Sequence, residues 1–563
     1  MKRTFKTACA VGPRIRAVPL ACALATLPFI GTGAHALEID SGNPDLTLRW
    51  DTTVKYSLAA RVKSPDAIYT GAANANGDDG DRNFKKGIVS SRLDVFTEMD
   101  AVWQKRAGVR LSASAYYDPI YNRSNDNPGF PGGAFPNNVS VPSNEFTRDT
   151  RKWMGRNAEV LDAFVFGKFE LGDATATVRA GQHSLTWGES LFFGGNAIAG
   201  GMMPVDAIKL SSVPATQFKE AIRPVPMLSG TIQVAPRVSL GAYYQFKWKK
   251  TLLPPAGSFL STSDFLDYGG EQLLLGPAGA AVRLSDRKPS NSGQGGLQLR
   301  FRGDETDYGV YLVRYHEKGP QGVPVLGVVP GVGPLPTGLY LAYNQGVTAL
   351  AVSASRSFGL VNVAAEAGIR TNSSLASTQG ADASALAPPG VIPATDLTGN
   401  PGFATGRTAH VNISTLATLP DSFMWREATL LGEIAWNRAL SITKNAAAVD
   451  PNSTRDGVAL RLVIEPTYRS VMPGVDLSVP VGLGWAPNGS RPLAAGGPPA
   501  WIPQNGGDLS IGLNGSWRDA WRFTLNFTHY YGAKAPVTDG GIYTWKQSQG
   551  DRDFVAASLR YAF

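Results

Sequence analysis

Three groups of residues have types and spacing that could do chemistry. His410, Asn412 and Ser414 recur at every second position, so a strand carries all three on one face. A histidine base near a serine hydroxyl is competent for acyl transfer. Gly188-Glu189-Ser190 opens like the nucleophile elbow Gly-x-Ser-x-Gly, but Phe192 stands where the second glycine belongs. No strand–turn–helix pattern surrounds it either. Asp78, Asp79 and Asp81, in Asn76-Gly77-Asp78-Asp79-Gly80-Asp81, space their carboxylates as a weak calcium loop could. The distal glutamate of the full pattern is missing, so a hydrated surface loop is the simpler expectation. Both cysteines, Cys9 and Cys22, lie near the N-terminus, and the whole chain has 5 histidines, which argues against a zinc or iron centre. The expectation is therefore a protein that is not an enzyme and holds no cofactor, with the His410 trio serving as polar lining.

The elements that must position these residues are strands. In Leu46–Leu58 one parity reads Leu, Leu, Trp, Thr, Val, Tyr, Leu and the other is polar. Such alternation over more than about ten residues exceeds an ordinary soluble strand and suits a tilted membrane strand. Strands of the same kind follow, joined alternately by tight turns and long segments. The tight turns are expected at Gln104–Gly108, Gly172-Asp173, Ala235–Arg237, Gly303–Thr306, Phe358–Leu360, Leu419–Trp425, Ser470–Gly474 and Arg518–Ala520. This rhythm predicts an all-β transmembrane antiparallel barrel of about 18 strands (16–20), with long extracellular loops and short periplasmic turns. Arg179, Glu366, Arg370, His410, Glu433, Arg461 and Glu465 fall on the inward parity, which implies a wet lumen. At the C-terminus Leu559, Tyr561 and Phe563 share the apolar parity and resemble the terminal strand that the barrel-assembly machinery recognises for membrane insertion.

Targeting points the same way. Lys2, Arg3, Lys6, Arg14 and Arg16 precede an apolar run, Ala17–Ile30, and then Ala34-His35-Ala36. That is a secretory signal for Sec export, cut after Ala36, and its run is too short to span a membrane. Residues 1–36 are thus expected to be removed, leaving 37–563 as one barrel domain in the Gram-negative outer membrane, among lipid and lipopolysaccharide. Five of the 53 basic residues go with the signal, so 48 face 45 acids. Near-neutrality and the absence of a Lys/Arg tract exclude nucleic acid as a partner.

One long segment differs from the rest. Between Trp187 and Arg223 lie Phe192, Phe193, Met202, Met203 and Phe218, too apolar for an extracellular loop in water. This third long loop is expected to fold into the lumen and make a greasy constriction. Trp187, Glu189, Asn196, Asp206, Lys209 and Arg223 are expected to border it. It could equally prop the barrel wall.

Trp187-Gly188-Glu189-Ser190-Leu191-Phe192-Phe193-Gly194-Gly195-Asn196 resembles a hallmark of the proteobacterial outer-membrane family catalogued as domain of unknown function 1302. So do Glu38–Leu46, Asp78–Phe84, Tyr121–Asn127 and Ser292–Gly296. The resemblance implies a large barrel encoded beside a periplasmic lipoprotein-carrier-like protein and an RND-type inner-membrane permease. It further implies movement of hydrophobic or amphipathic molecules such as lipids, sterols or hydrocarbons. It carries over no catalytic or ligand residue. The alternatives are a diffusion porin for small polar solutes and, more distantly, a structural barrel or lipolytic enzyme.

Overall fold

The computed structural model describes residues 37–129, 136–213, 216, 218–489 and 501–563. The expected signal segment lies outside them. Eighteen antiparallel strands close into one barrel: β1 (Leu46–Arg61), β2 (Gly87–Trp103), β3 (Ala107–Tyr117), β4 (Arg156–Leu171), β5 (Ala174–His183) and β6 (Val225–Ala235), then β7 (Val238–Gln245), β8 (Gln294–Arg302), β9 (Thr306–Tyr315), β10 (Val347–Phe358), β11 (Val361–Ser374) and β12 (Thr405–Leu419), and finally β13 (Glu427–Lys444), β14 (Asp456–Met472), β15 (Val475–Ser478 and Val481–Asn488, one strand interrupted before Pro480), β16 (Gly507–Trp517), β17 (Trp521–Tyr531) and β18 (Phe554–Ala562). Each strand pairs with its sequence neighbours, and β1 closes the ring against β18, Val54 opposite Tyr561. Leu37–Ile39 adds a short strand along the start of β1.

Alternation sets the two faces. Trp50, Leu58, Val165, Leu297, Leu350, Ile434 and Leu525 are exposed on the outer face. In water that band would be a liability; in lipid it is what holds the barrel in place. Lys55, Glu98, Glu366, His410 and Glu433 occupy the other parity and are buried within the ring. Among the described residues no helix is long and apolar enough to cross a membrane, so the strands do the crossing. A closed ring also leaves no unpaired edge among its backbone N–H and C=O groups. The protein is an outer-membrane β-barrel.

All eight tight turns fall where the sequence places them. Several use residues in the left-handed region: Lys105 (φ 55°) after β2, Gly172 (φ 64°) after β4 and Asp519 (φ 57°) after β16. The long connections on the opposite rim pack on one another. Phe84, Tyr121, Phe146 and Phe259, from three separate loops, form one aromatic cluster with centroids 5.0–5.8 Å apart. A four-stranded sheet, Gln272–Leu274, Ala280–Arg283, Gln321–Val329 and Gly333–Ala342, stands outside the barrel ladder. Both of its parent segments fall among the long connections, where the sequence pattern predicts no strands.

Candidate functional site: a lumen crossed by its third long loop

The connection from His183 to Val225 enters the lumen and touches its wall on several sides. Near its start Trp187 packs edge-on against Tyr243 of β7, centroids 5.1 Å apart, and lies 6.2 Å from Tyr311 of β9. Ile198, Met202 and Met203 join the same buried cluster with Tyr315 and Val347. Between Trp187 and Ile198 the main chain reaches the wall at β13. There Glu433 of β13 accepts hydrogen bonds from Ser190 Oγ (2.7 Å) and from the backbone N–H groups of Leu191 (3.0 Å), Phe192 and Phe193 (3.0 Å). Consecutive N–H groups turned onto one carboxylate form an anion nest whose anion comes from the barrel wall. Asn412 Nδ2 donates to the same carboxylate at 2.7 Å.

Glu366 of β11 makes a second anchor. It accepts from the N–H of Glu189 (3.1 Å), the N–H of Ile198 (2.6 Å) and His410 Nε2 (3.1 Å). Arg370 Nη2 donates to the carbonyls of Asn196 (2.5 Å) and Ala197 (2.8 Å). Asn196 donates to Asn412 Oδ1 (2.9 Å) and accepts from Asn437 Nδ2 (3.0 Å). Two glycines let the loop sit this close. Gly188 has φ +99°, and a Cβ there would collide with the Glu366 carboxylate. A Cβ on Gly201 would come within 2.6 Å of the Tyr315 ring. The Trp187–Asn196 stretch thus has a physical role: each polar member is a contact between loop and wall.

The arrangement revises the picture of the apolar residues. Phe193 packs with Ala435, Ala459 and Ala486 of the wall and lies 5.7 Å from Trp501, with Phe192 beside it. Met202 and Met203 are buried on the opposite side. These side chains bond the loop to the barrel; they do not ring an open pore. Among the described residues, Leu191 and Leu210, at 47% and 51% exposure, are the apolar side chains of this loop most open to water. Asp206 caps the helical turn Ala207–Ser212 by accepting from Lys209 N–H (3.0 Å), and Lys209 Nζ reaches Glu159 of β4 at 3.6 Å. Arg223 Nη1 donates to the Lys250 carbonyl at 2.6 Å. The side chain of Phe218 lies outside what the structure describes.

The inward residues divide. Glu366, Arg370, His410 and Glu433 are buried beneath the loop rather than facing water. Arg461 pairs with Asp508 at 2.6 Å, and Glu465 accepts from Asn514 Nδ2 at 3.3 Å. Arg179 lies apart, near the tight-turn rim. The His410 trio is not assembled for acyl transfer: His410 faces Glu366, while Ser414 Oγ donates to the Glu189 carbonyl at 2.9 Å. Leu559, Tyr561 and Phe563 lie along the closing strand, with the Trp521 and Tyr561 rings tilted at 44° and 4.6 Å apart and the Phe563 N–H bonded to the Thr52 carbonyl.

Asp78 and Asp79 do converge with a third carboxylate, but it is Asp264 from a distant loop, all three within 4.8 Å and buried. Asp81 leaves that group. It takes Arg61 Nη2 at 2.8 Å and Arg552 Nη2 at 2.7 Å. Spacing along the chain put Asp81 with its neighbours; two guanidiniums competed better for it. Asp264 was out of reach of sequence reasoning, since nothing local marks it.

No curated protein sequence matches the chain significantly. Among solved structures it is similar to OccAB3 of Acinetobacter baumannii at 10% identity and TM-score 0.44, covering 92% of this chain and 99% of that one. It is similar to OccD3 (OpdP) of Pseudomonas aeruginosa at 9% identity and TM-score 0.39, covering 94% of each. A family profile described as "Protein of unknown function (DUF1302)" matches residues 17–563, and the chain belongs to that family.

Proposed function

We propose that this barrel is an outer-membrane channel for hydrophobic or amphipathic small molecules, with the loop between β5 and β6 as its selectivity element and gate. One observation carries the proposal: a loop folded into the lumen is tied to wall strands from β4 round to β15, by the Lys209–Glu159 pair, by buried apolar packing and by the Glu366 and Glu433 anchors. A structural prop needs wall contacts on its own side; a segment that crosses decides what passes. The side chains it leaves facing water include Leu191, Leu210 and the half-buried Phe192, which favour cargo with apolar surface. We take the protein to be a transporter and not an enzyme. Its tight-turn face is where a periplasmic lipoprotein-carrier-like protein, and through it an RND-type permease, would exchange cargo.

Proteoliposome uptake tests this directly. The expected result is entry of a medium-chain alkyl solute with little swelling in sucrose or arabinose. A second reading, a diffusion porin for small polar solutes, draws on the charged stretch of lumen at Arg461 and Asp508. Fast swelling in sugars without alkyl uptake would establish that reading instead.

A further inference from the structure

Away from the loop, the tight-turn mouth of the lumen holds a cavity of about 640 Å³ between the inner faces of β1–β5. Six cations line it: Arg49, Lys105, Arg106, Arg110, Lys168 and Arg179. They come from separate places in the chain. Arg49 is on β1, Lys105 and Arg106 form the turn after β2, and Arg110, Lys168 and Arg179 lie on β3, β4 and β5. Against them stands one lining carboxylate, Asp100. Arg110 uses it (3.7 Å) together with Glu98 (2.6 Å). Among the described residues the other five form no salt bridge. The opposite wall behaves differently, since Arg461 there is matched by Asp508. Like charges gathered on one stretch of wall repel, and a structural role would have selected pairing. Unpaired charge on the inner face of a membrane protein marks a path for a charged solute.

The same cavity has an apolar side. Phe164 and Phe166 of β4 face into it with centroids 6.2 Å apart. Phe164 is opposite Gly181 and Arg110, Phe166 opposite Arg179, and the Arg179 guanidinium lies 5.8 Å from the Phe164 ring. A ligand held here would place an anionic head among guanidiniums and ammoniums and a carbon body on two phenyl faces. We infer that this mouth is a binding site for amphipathic anions, in which an alkyl or aryl body carries a carboxylate or phosphate head. The inference rests on the transport reading above and narrows its cargo to acids. Its physics is a low-dielectric wall concentrating positive potential at the rim where cargo enters or leaves.

The test is calorimetric titration of the full-length protein in a neutral detergent at pH 7.5 with octanoate, octyl phosphate and octan-1-ol. Octanoate or octyl phosphate should bind at least about tenfold more tightly than octan-1-ol, with affinity falling as salt rises. The double variant Arg106→Glu/Arg179→Glu should lose at least about tenfold in anion affinity, while Arg106→Lys/Arg179→Lys keeps most of it. Arg302→Glu, at the same rim but outside the cavity, should bind as wild type. Heat-shifted gel mobility verifies that each variant is folded. Binding of octyl phosphate alone supports the site and assigns it to phosphate headgroups. Equal affinity for octanoate, octyl phosphate and octan-1-ol, or wild-type anion affinity in the folded double-Glu variant, overturns the inference. Failure of the two readings is separable. Anion binding without liposome uptake removes transport and leaves the site, whereas uptake of neutral cargo without anion binding does the reverse.

Discussion

At the scale of single residues, the most consequential groups are buried charges outside the membrane band. Arg61 and Arg552 share Asp81, and Arg61 also reaches Asp551 at 2.7 Å. Arg552 further donates to the carbonyls of Phe259 (2.9 Å) and Ser261, so the network sews the first and last strands to two loops. Removing one partner of such a set leaves charge buried and uncompensated. Asp81→Asn is expected to cost about 3–5 kcal/mol, read as a lower urea midpoint and faster tryptic cleavage in the segment 62–86. Two neighbouring carboxylates, Asp78 and Asp264, are shifted upward. Burial, reinforced by Asp79, pushes Asp78 up to about 8, and burial likewise raises Asp264. An acid whose folded pKa exceeds its unfolded value near 3.8 adds stability below that value and loses it as pH rises through the folded pKa. Attachment of this loop cluster should therefore weaken between about pH 4 and pH 8. Asp264→Asn should flatten the trend, and protection from limited proteolysis at pH 5 and pH 8.5 is the measurement.

At the scale of elements, the loop between β5 and β6 is held by carboxylates that belong to strands. Glu433→Gln keeps the shape but replaces charge-assisted hydrogen bonds with neutral ones, a loss of about 1–3 kcal/mol in loop anchoring. Gly188→Ala acts on the same anchor by steric means, because the position needs φ +99° and has no room for a Cβ beside Glu366. Both variants should leave the strand signal in circular dichroism unchanged while speeding amide exchange in residues 188–203. Exchange at wild-type rates would mean that the anchors carry no load. This element also shows how far sequence reasoning reaches. That the loop must bury Phe192, Phe193, Met202 and Met203 follows from their apolarity. That they are buried against alanines of β13–β15 and tyrosines of β7 and β9 does not, because it depends on contacts up to 300 residues apart in the chain. Inward parity picked out Glu366 and Glu433 without revealing that they are loop anchors. The basic mouth was visible in part. Arg179 falls on the expected inward parity and Lys105 and Arg106 in an expected tight turn, and only the register of β1–β5 gathers them with Arg49, Arg110 and Lys168.

At the scale of the whole molecule, one pattern governs: alternation along the strands and alternation of long and short connections. That was legible almost completely, since both follow from period-two side chains and turn chemistry repeated around the ring. The strands Gln321–Val329 and Gly333–Ala342 escape the sequence pattern because Pro324, Pro334, Pro336 and four glycines make them read as loop. Lipid exposure makes its own prediction. Ile434, 48% exposed on the outer face and close to the middle of β13, should cost about 2–4 kcal/mol when changed to Arg. Leu360→Arg, in a tight turn, should cost about 0–1 kcal/mol. Unfolding free energies in lipid vesicles check the pair, and equal costs would contradict the assigned membrane band.

The central claim is that a wall-anchored loop closes the lumen to free diffusion. Single-channel recording in planar bilayers tests it most directly, comparing wild type with Glu366→Gln/Glu433→Gln and with a deletion of residues 192–203. The account predicts little or no steady current for wild type, frequent large openings for the double variant and a stable, large conductance for the deletion. A large, steady conductance in wild type that neither variant changes would contradict it.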